Sequence, residues 1–381
     1  MRVLFISDVY FPRVNGVSTS IVTFRADLAE AAVETTLIAP QYATAVAGDE
    51  AGVIRVPAGA VPRDPEDRRM RWRALQSALH GLGEARFDLV HIHTPFLAHY
   101  AGVQFARRAR IPVVETYHTF FEEYLHHYVP LLPRWLGRRL ARALTRAQCA
   151  QVDAIIAPSQ PMRAMLEQIG VRVPVRVIPT GLPADRFVRG DGARFRQQHG
   201  IPAQRPLLLY VGRVAHEKNI GFLLESFCIV RRARPDALLV IAGEGPARAA
   251  LGIQAERLGL GRAVIFVGYL DRQQALADCY AAAAVFVFAS RTETQGLVLL
   301  EAMAQGCPVV STAHLGTASI LQPGCGAQSA AYAHGWASSL MATRMREFYA
   351  EQCARVKIAP EPAGPAAPGE LHERQACLDR R

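Results

Sequence analysis

Three features of the sequence predict an α/β fold of two tandem Rossmann-like domains facing across a cleft. Short apolar runs of strand length alternate with helical segments through about residue 180, the pattern of βαβ units on a mainly parallel sheet. The same alternation restarts at Leu207, after a Gly-, Pro- and charge-rich stretch from Gly181 to Pro206. The chain has 381 residues, 50% hydrophobic and 20% charged, which is enough apolar material for two cores and too much for a disordered or fibrous chain.

Val3 to Ser7 reads as a buried strand, Asp8 to Ser18 as a loop and Ser18 to Ala31 as a helix. Further strands are expected at 36–39, 53–56, 89–93, 113–116, 154–157 and 175–178. In the second half, strands are expected at 207–211, 238–242, 264–267, 285–288 and 308–311, with helices centred near Leu224, Ala250, Ala275 and Ala302. Residues 313–331 show little periodicity, 334–351 read as a helix, and the Pro- and Ala-rich 358–381 reads as a disordered tail. The domains are therefore expected at 1–185 and 186–357. Ligands of open α/β sheets bind at the carboxyl edges of the strands.

No apolar run approaches the roughly 20 residues that span a bilayer. Met1-Arg2-Val3 opens directly into a strand, which reads as no secretory leader, and the seven scattered cysteines read as reduced thiols of a cytosolic protein. They form no CxxC pair, so no zinc site is expected. The +10 net charge suits an anionic partner, with no nucleic-acid motif to direct it to RNA or DNA. Only two of the 43 basic residues are lysines, Lys218 and Lys357, so a Lys within a functional loop reads as a chemical choice.

Four segments carry chemistry. FPRVNGVS, residues 11–18, offers Asn15-Gly16 and a following helix N-terminus that suits a phosphate, or is an ordinary turn. YVGRVAHEKN, residues 210–219, puts Arg213 and Lys218 on one loop at a sheet edge, where two cations neutralise a diphosphate, unless Glu217 merely pairs one of them. SRTETQGLVLLEAMAQ, residues 290–305, holds Glu293 in a loop and Glu301 within an apolar helix. A carboxylate among Leu299, Leu300, Ala302 and Met303 needs partners, and a pair of sugar hydroxyls or a neighbouring Arg would supply them. Gly296, Leu297 and Val298 would present helix N-terminal amides to phosphate. ETYHTFFEE, residues 115–123, places His118 at the cleft edge, with Glu115, Glu122 and Glu123 available to tune it, or as a structural histidine. His91 and His93 are read as facing opposite sides of a strand, and no metal site is expected.

Residues 133–151 differ in kind. Arg134, Arg138, Arg139, Arg142 and Arg146 share a helix with Trp135, Leu136, Leu140 and Leu144, and no acid interrupts them. Such a helix lies on an anionic membrane, or packs on a core with a solvated Arg face.

GRVAHEKN followed by TETQGLVLLEA resembles the family 4 retaining glycosyltransferases of GT-B fold, with their pair of glutamates separated by seven residues. FPRVNGVST, HIHTPF and TYHTFFEEYLHHYVP resemble more narrowly the diacylglycerol glucosyltransferase branch, and the likeness covers about residues 1–320. The resemblance implies that Gly16 contacts the donor diphosphate and His118 the transferred sugar. Arg213 and Lys218 would hold the leaving group, Glu293 the donor sugar and Glu301 the ribose, with Gly268 and Tyr269 near the base. It implies no metal and no cofactor. The reaction would move a hexose from a nucleotide sugar, UDP-glucose in the first reading, to a lipid such as diacylglycerol at the inner face of the cell membrane. The alternative is a GDP-mannose-dependent mannosyltransferase with another lipid or a saccharide as acceptor, and a third reading is a nucleotide-sugar-binding protein without activity. One departure stands out: Pro323 to Gly326 run almost directly into 328–336, so the second domain is expected to be shortened near its C-terminal end.

Overall fold

A computed structural model describes residues 1–43, 51–61, 64–83, 87–118, 133–321, 333 and 336–358. The apolar run of β1 (Arg2–Ile6) is buried throughout its last four residues, as expected of a strand covered on both faces. It is followed by α1 (Gly16–Glu30), β2 (Glu34–Pro40), β3 (Val53–Val56), β4 (Ala58–Val61), β5 (Asp64–Met70) and α2 (Trp72–Gly81). β6 (Leu89–Ile92), α3 (Leu97–Ala109), β7 (Val113–Thr116), α4 (Arg134–Cys149), β8 (Ala154–Ala157), α5 (Gln160–Ile169) and β9 (Val175–Val177) complete the first half. Seven strands pair in parallel in the order β3-β2-β1-β6-β7-β8-β9. The order reverses between β1 and β6, so their carboxyl ends open a crevice. A small antiparallel hairpin, β4 with β5, leaves no period in the sequence, because β4 is Ala-Gly-Ala-Val with small side chains and β5 is mostly charged. It leans on the loop before α1 through Arg13 Nε and Asp67 Oδ1, 2.9 Å apart.

The linker carries a 3₁₀ turn (Ala184–Phe187) and leads through α6 (Gly192–Gln198) into β10 (Leu207–Val211). Then come α7 (Ile220–Ala233), β11 (Leu238–Ala242), α8 (Arg248–Arg257), β12 (Val264–Gly268), α9 (Ala275–Ala282), β13 (Val285–Phe288), α10 (Leu297–Ala304), β14 (Val309–Ser311) and α11 (Gly316–Ile320). Five parallel strands run in the order β12-β11-β10-β13-β14, with the reversal between β10 and β13. The two tandem halves are the predicted α/β architecture. The stretch where the shortening is expected, 322–332, and the tail 359–381 lie outside the described residues.

The last helix, α12 (Ser338–Ile358), starts four residues later and runs seven further than its periodicity indicated. It returns to the first half: Met341, Ala342, Met345, Phe348 and Tyr349 share one apolar core with Val3, Phe5, Ile21 and Phe24. The expected domain limit at 357 follows chain order, whereas the apolar stripe of α12 is buried by α1 and the first sheet. The chain thus crosses between halves twice, and the crossings touch. A Cβ on Gly181 would lie 2.2 Å from Ser338 Cα, so only glycine fits there.

Candidate active site

On the second domain, the site is built where the strand order reverses. The loop leaving β10 turns through a 3₁₀ segment, and Asn219, in the left-handed conformation, starts α7 while its side-chain amide donates to Ala289 O at 3.3 Å. This aims Lys218 across the reversal at the loop after β13, where its Nζ donates to Glu293 Oε1 at 2.5 Å. The rare lysine and the first glutamate of the motif, 75 residues apart, therefore form one ion pair. Arg213, on the same loop as Lys218, lies 3.9 Å from Glu217.

Gly296 precedes α10 with φ of +96°, which lets the chain turn sharply so that the first-turn amides, including those of Leu297 and Val298, face outward from the helix end. Glu301, one turn further, is buried. Its Oε1 accepts from Arg272 Nη2 and its Oε2 accepts from the Tyr280 hydroxyl at 3.1 Å. Both oxygens thus have protein donors, and the cation is Arg272, distant in sequence rather than a neighbour. Nothing local in the sequence marks Arg272, since the loop after β12 brings it to Glu301 only once the sheet has formed. The ion pair in turn holds the Arg272 guanidinium above its ordinary pKa, and burial beside Glu301 pushes the Tyr280 hydroxyl up. Gly268 and Tyr269 stand at the carboxyl end of β12, with Tyr269 exposed. A second loop at this edge, Gly243-Glu244-Gly245, was not singled out from sequence. Glu244 O accepts from Val214 N at 2.8 Å, which seats it against the Arg213 loop. The Gly-Glu-Gly-Pro run closing an apolar strand was its signal.

The first domain's edge is of another character. Asn15 caps α1 by accepting from Ser18 N at 2.8 Å, and Gly16 is exposed with nothing within 4 Å of where a Cβ would stand. Asp8, just after β1, accepts from Thr94 Oγ1 at 2.8 Å and Ala98 N at 3.0 Å, and burial pushes its carboxyl up to about 6. His118 follows β7, with its Nε2 3.3 Å from His93 Nδ1. Burial lowers His118 to about 3, and burial also holds His91 and His93 well below the usual imidazole range. Glu115 does not reach His118: it bonds His99 Nδ1 at 2.8 Å, because it points to the other side of β7. Glu122 and Glu123 lie outside the described residues.

The expectation that His91 and His93 face opposite sides is wrong. Side chains on a strand repeat every second residue, so positions 91 and 93 share a face, and the ring centroids are 4.0 Å apart. His91 is bonded instead to Tyr349 OH at 2.5 Å and Thr116 Oγ1 at 2.6 Å. Among the described residues, no group of three His, Cys, Asp or Glu is arranged to hold a metal ion.

Helix α4 turns Ala141, Thr145, Gln148 and Cys149 inward. Its large apolar residues point outward: Trp135 is 65% and Leu140 54% exposed, with Leu136 and Leu144 beside them. Arg138, Arg139, Arg142 and Arg146 are exposed as well. The apolar face is thus not part of the core. Among the described residues, no helix is long and apolar enough to cross a membrane.

Comparison with known proteins agrees with this architecture. Residues 14–186 match the family described as Glycosyltransferase Family 4, and residues 191–349 match Glycosyl transferases group 1. The chain is 33% identical to an alpha-monoglucosyldiacylglycerol synthase of Streptococcus pneumoniae, over 82% of this chain and 71% of that one. It is 26% identical to the alpha-monoglucosyldiacylglycerol synthase of Acholeplasma laidlawii, over 81% and 80% of the two chains. In fold it is similar to a sucrose-phosphate synthase of Thermosynechococcus elongatus, with a TM-score of 0.76 at 21% identity over 93% of this chain and 99% of that one.

Proposed function

This chain belongs to the family 4 glycosyltransferases and has their GT-B fold, and from that premise we propose that it transfers glucose from UDP-glucose to a membrane lipid such as diacylglycerol. The observation that carries the lipid acceptor is the outward Trp135, Leu136, Leu140 and Leu144 of α4 among exposed arginines, a surface suited to an anionic bilayer. The names of the two synthases quoted above point the same way. The enzyme would work as a peripheral protein at the inner face of the membrane.

In this reading the donor lies between the two sheet edges. Glu301, held by Arg272 and Tyr280, accepts the ribose hydroxyls with its remaining lone pairs. Gly268 and Tyr269 flank the base. Arg213, Lys218, the amides of Gly296, Leu297 and Val298, and the Gly16 end of α1 meet the diphosphate, while Glu293 and His118 meet the sugar. The Lys218–Glu293 pair exchanges partners as the donor enters, Lys218 turning to phosphate and Glu293 to sugar hydroxyls. The bond from the anomeric carbon to phosphate oxygen breaks, and a bond to the acceptor oxygen forms on the same face. The acceptor proton passes to the departing phosphate oxygen. His118, lowered by burial to about 3, stays neutral and acts as a hydrogen-bonding partner. The rate then comes from positioning and from stabilising the leaving group.

Thin-layer analysis of lipids formed from labelled UDP-glucose or labelled GDP-mannose with diacylglycerol tests this. A glucosylated lipid is the expected product, and label entering lipid only from GDP-mannose would replace the reading with its mannosyl alternative. Vesicle co-sedimentation tests the surface: changing Arg134, Arg138, Arg139, Arg142 and Arg146 to Gln should abolish pelleting with anionic vesicles, since each basic residue contributes about 1 kcal/mol there. Equal pelleting of both proteins would favour a soluble saccharide acceptor.

A further inference from the structure

The loop that carries Glu293 is bonded to the first domain through its next two residues. Ser159 Oγ donates to Thr294 O at 2.7 Å. Gln295 is buried and spends both ends of its amide on one linker residue: Thr180 N donates to Oε1 at 2.8 Å, and Nε2 donates to Thr180 O at 2.6 Å. This is the two-bond exchange by which one strand pairs with another, made here by a side chain. Thr180 is anchored in turn, its Oγ1 donating to Ser20 Oγ at 2.7 Å, with both side chains buried. Ser20 lies one turn along α1 from Gly16 and on the same side of the helix. A continuous line of buried hydrogen bonds thus runs from Ser20, one turn along α1 from Gly16, through Thr180 to the residue two places after Glu293.

For packing alone, an apolar side chain of the same length would serve at position 295. The amide is needed only for its two bonds to Thr180, and these join the halves without adding to either core. We propose that Gln295 is a positioning residue for glycosyl transfer: it fixes the Glu293 loop against the Gly16 end of the first domain, so that a sugar held from one domain meets its acceptor at the other. The inference rests on the reading that Glu293 faces the donor sugar. Gln305, at the far end of α10, holds the linker further along by donating to Arg186 O and Val188 O at 2.8 and 2.9 Å. The base and ribose contacts, in contrast, at Gly268, Tyr269 and Glu301, all lie within the second domain and away from Gln295.

The test compares wild type with Gln295→Met, which keeps length and removes both bonds, and with Ser20→Ala, which loosens the same line from the first domain. In Gln295→Met, kcat with UDP-glucose should fall about tenfold to a hundredfold, the size expected when a buried backbone donor and acceptor lose their partners. The dissociation constant for UDP alone should move less than about threefold, because its base and ribose contacts and the Arg213 and Lys218 cations stay within the second domain. Amide hydrogen exchange of the free protein should speed by about tenfold in 178–182 and 292–296 while β10 stays protected. Ser20→Ala should lower kcat and speed the exchange in 178–182 and 292–296 by about threefold, the loss of one net hydrogen bond, with UDP affinity unchanged. Unchanged exchange at 178–182, or UDP affinity falling as far as kcat, would overturn the proposal, the latter by showing that Gln295 merely holds the second domain together. The exchange readout needs no donor. A wild type that ignores UDP and UDP-glucose would therefore refute the donor reading while the exchange readout still decides the role of Gln295.

Discussion

The two edges of the cleft manage charge in opposite ways. On the second domain, carboxylates and cations are paired with each other: Lys218 with Glu293, and Arg272 with Glu301. On the first domain, burial suppresses charge, with His91, His93 and His118 held neutral and the Asp8 carboxyl pushed up. The contrast fits the chemistry. A diphosphate leaving group gains negative charge as its bond breaks and needs cations, whereas a sugar and a hydroxyl acceptor need neutral hydrogen-bonding groups. An ion pair also holds its two partners ready while the cleft is empty, since either charge alone would be costly at a half-buried site.

The comparison breaks most visibly at Lys218. Lys218→Ala should lower kcat about a hundredfold or more, the usual cost of losing a group that meets developing charge, with a smaller change in donor KM. Near-normal turnover would remove Lys218 from the leaving-group role. Because Glu293 is its partner, the double variant Lys218→Ala with Glu293→Gln should lose less than the two single losses combined.

Next in size is Glu301. Its contacts persist from bound donor to transition state, so Glu301→Ala should raise donor KM about tenfold to a hundredfold, as for a lost charged hydrogen bond, with kcat changed less. Steady-state kinetics at saturating acceptor separate the two parameters. A kcat loss with unchanged KM would move Glu301 out of ribose binding.

The pH dependence of stability sharpens the contrast, since the first domain's groups act with opposite signs. An imidazole with a lowered folded pKa contributes stability that is present above its ordinary value of 6.5 and is lost as pH falls toward 3. A carboxyl with a raised pKa works the other way: Asp8 costs stability as pH rises from 3.8 through about 6. Melting temperatures between pH 4 and 7 should therefore show Asp8→Asn gaining on wild type as pH rises through that window. A constant difference would show that Asp8 titrates normally. Because His118 is already neutral above pH 5, the rate should show no limb near 6.5, and such a limb would reveal a charged His118.

The smallest effect is expected at Tyr349. Tyr349→Phe leaves His91 Nδ1 without its 2.5 Å partner and should cost about 1–2 kcal/mol of stability, that of one unmet buried group, with donor KM unchanged. A loss of activity without a loss of stability would mean that α12 reaches the chemistry through His91.

The sequence by itself determined the strand–helix alternation, the two sheets and the loops that bear Arg213, Lys218, Glu293 and Glu301. These rest on local periodicity and on turn residues that act within a few positions of each other. It also showed that α4 carries a basic and an apolar face, but not which of them is covered. Only the tertiary structure decided that Trp135 and Leu140 face outward, that Arg272 and Tyr280 partner Glu301, and that α12 belongs to the first core. Nearness in sequence makes Glu115 a neighbour of His118, which fails because the two faces of β7 are assigned only in the structure, whereas the shared face of His91 and His93 follows from the two-residue period of a strand by itself. The Gln295–Thr180 bond joins residues 115 apart, and it exists only because two separate sheets are brought together by a chain that crosses twice between them. Pairings of this kind are set by sheet order and domain docking, which leave no periodic trace in the residues that make them.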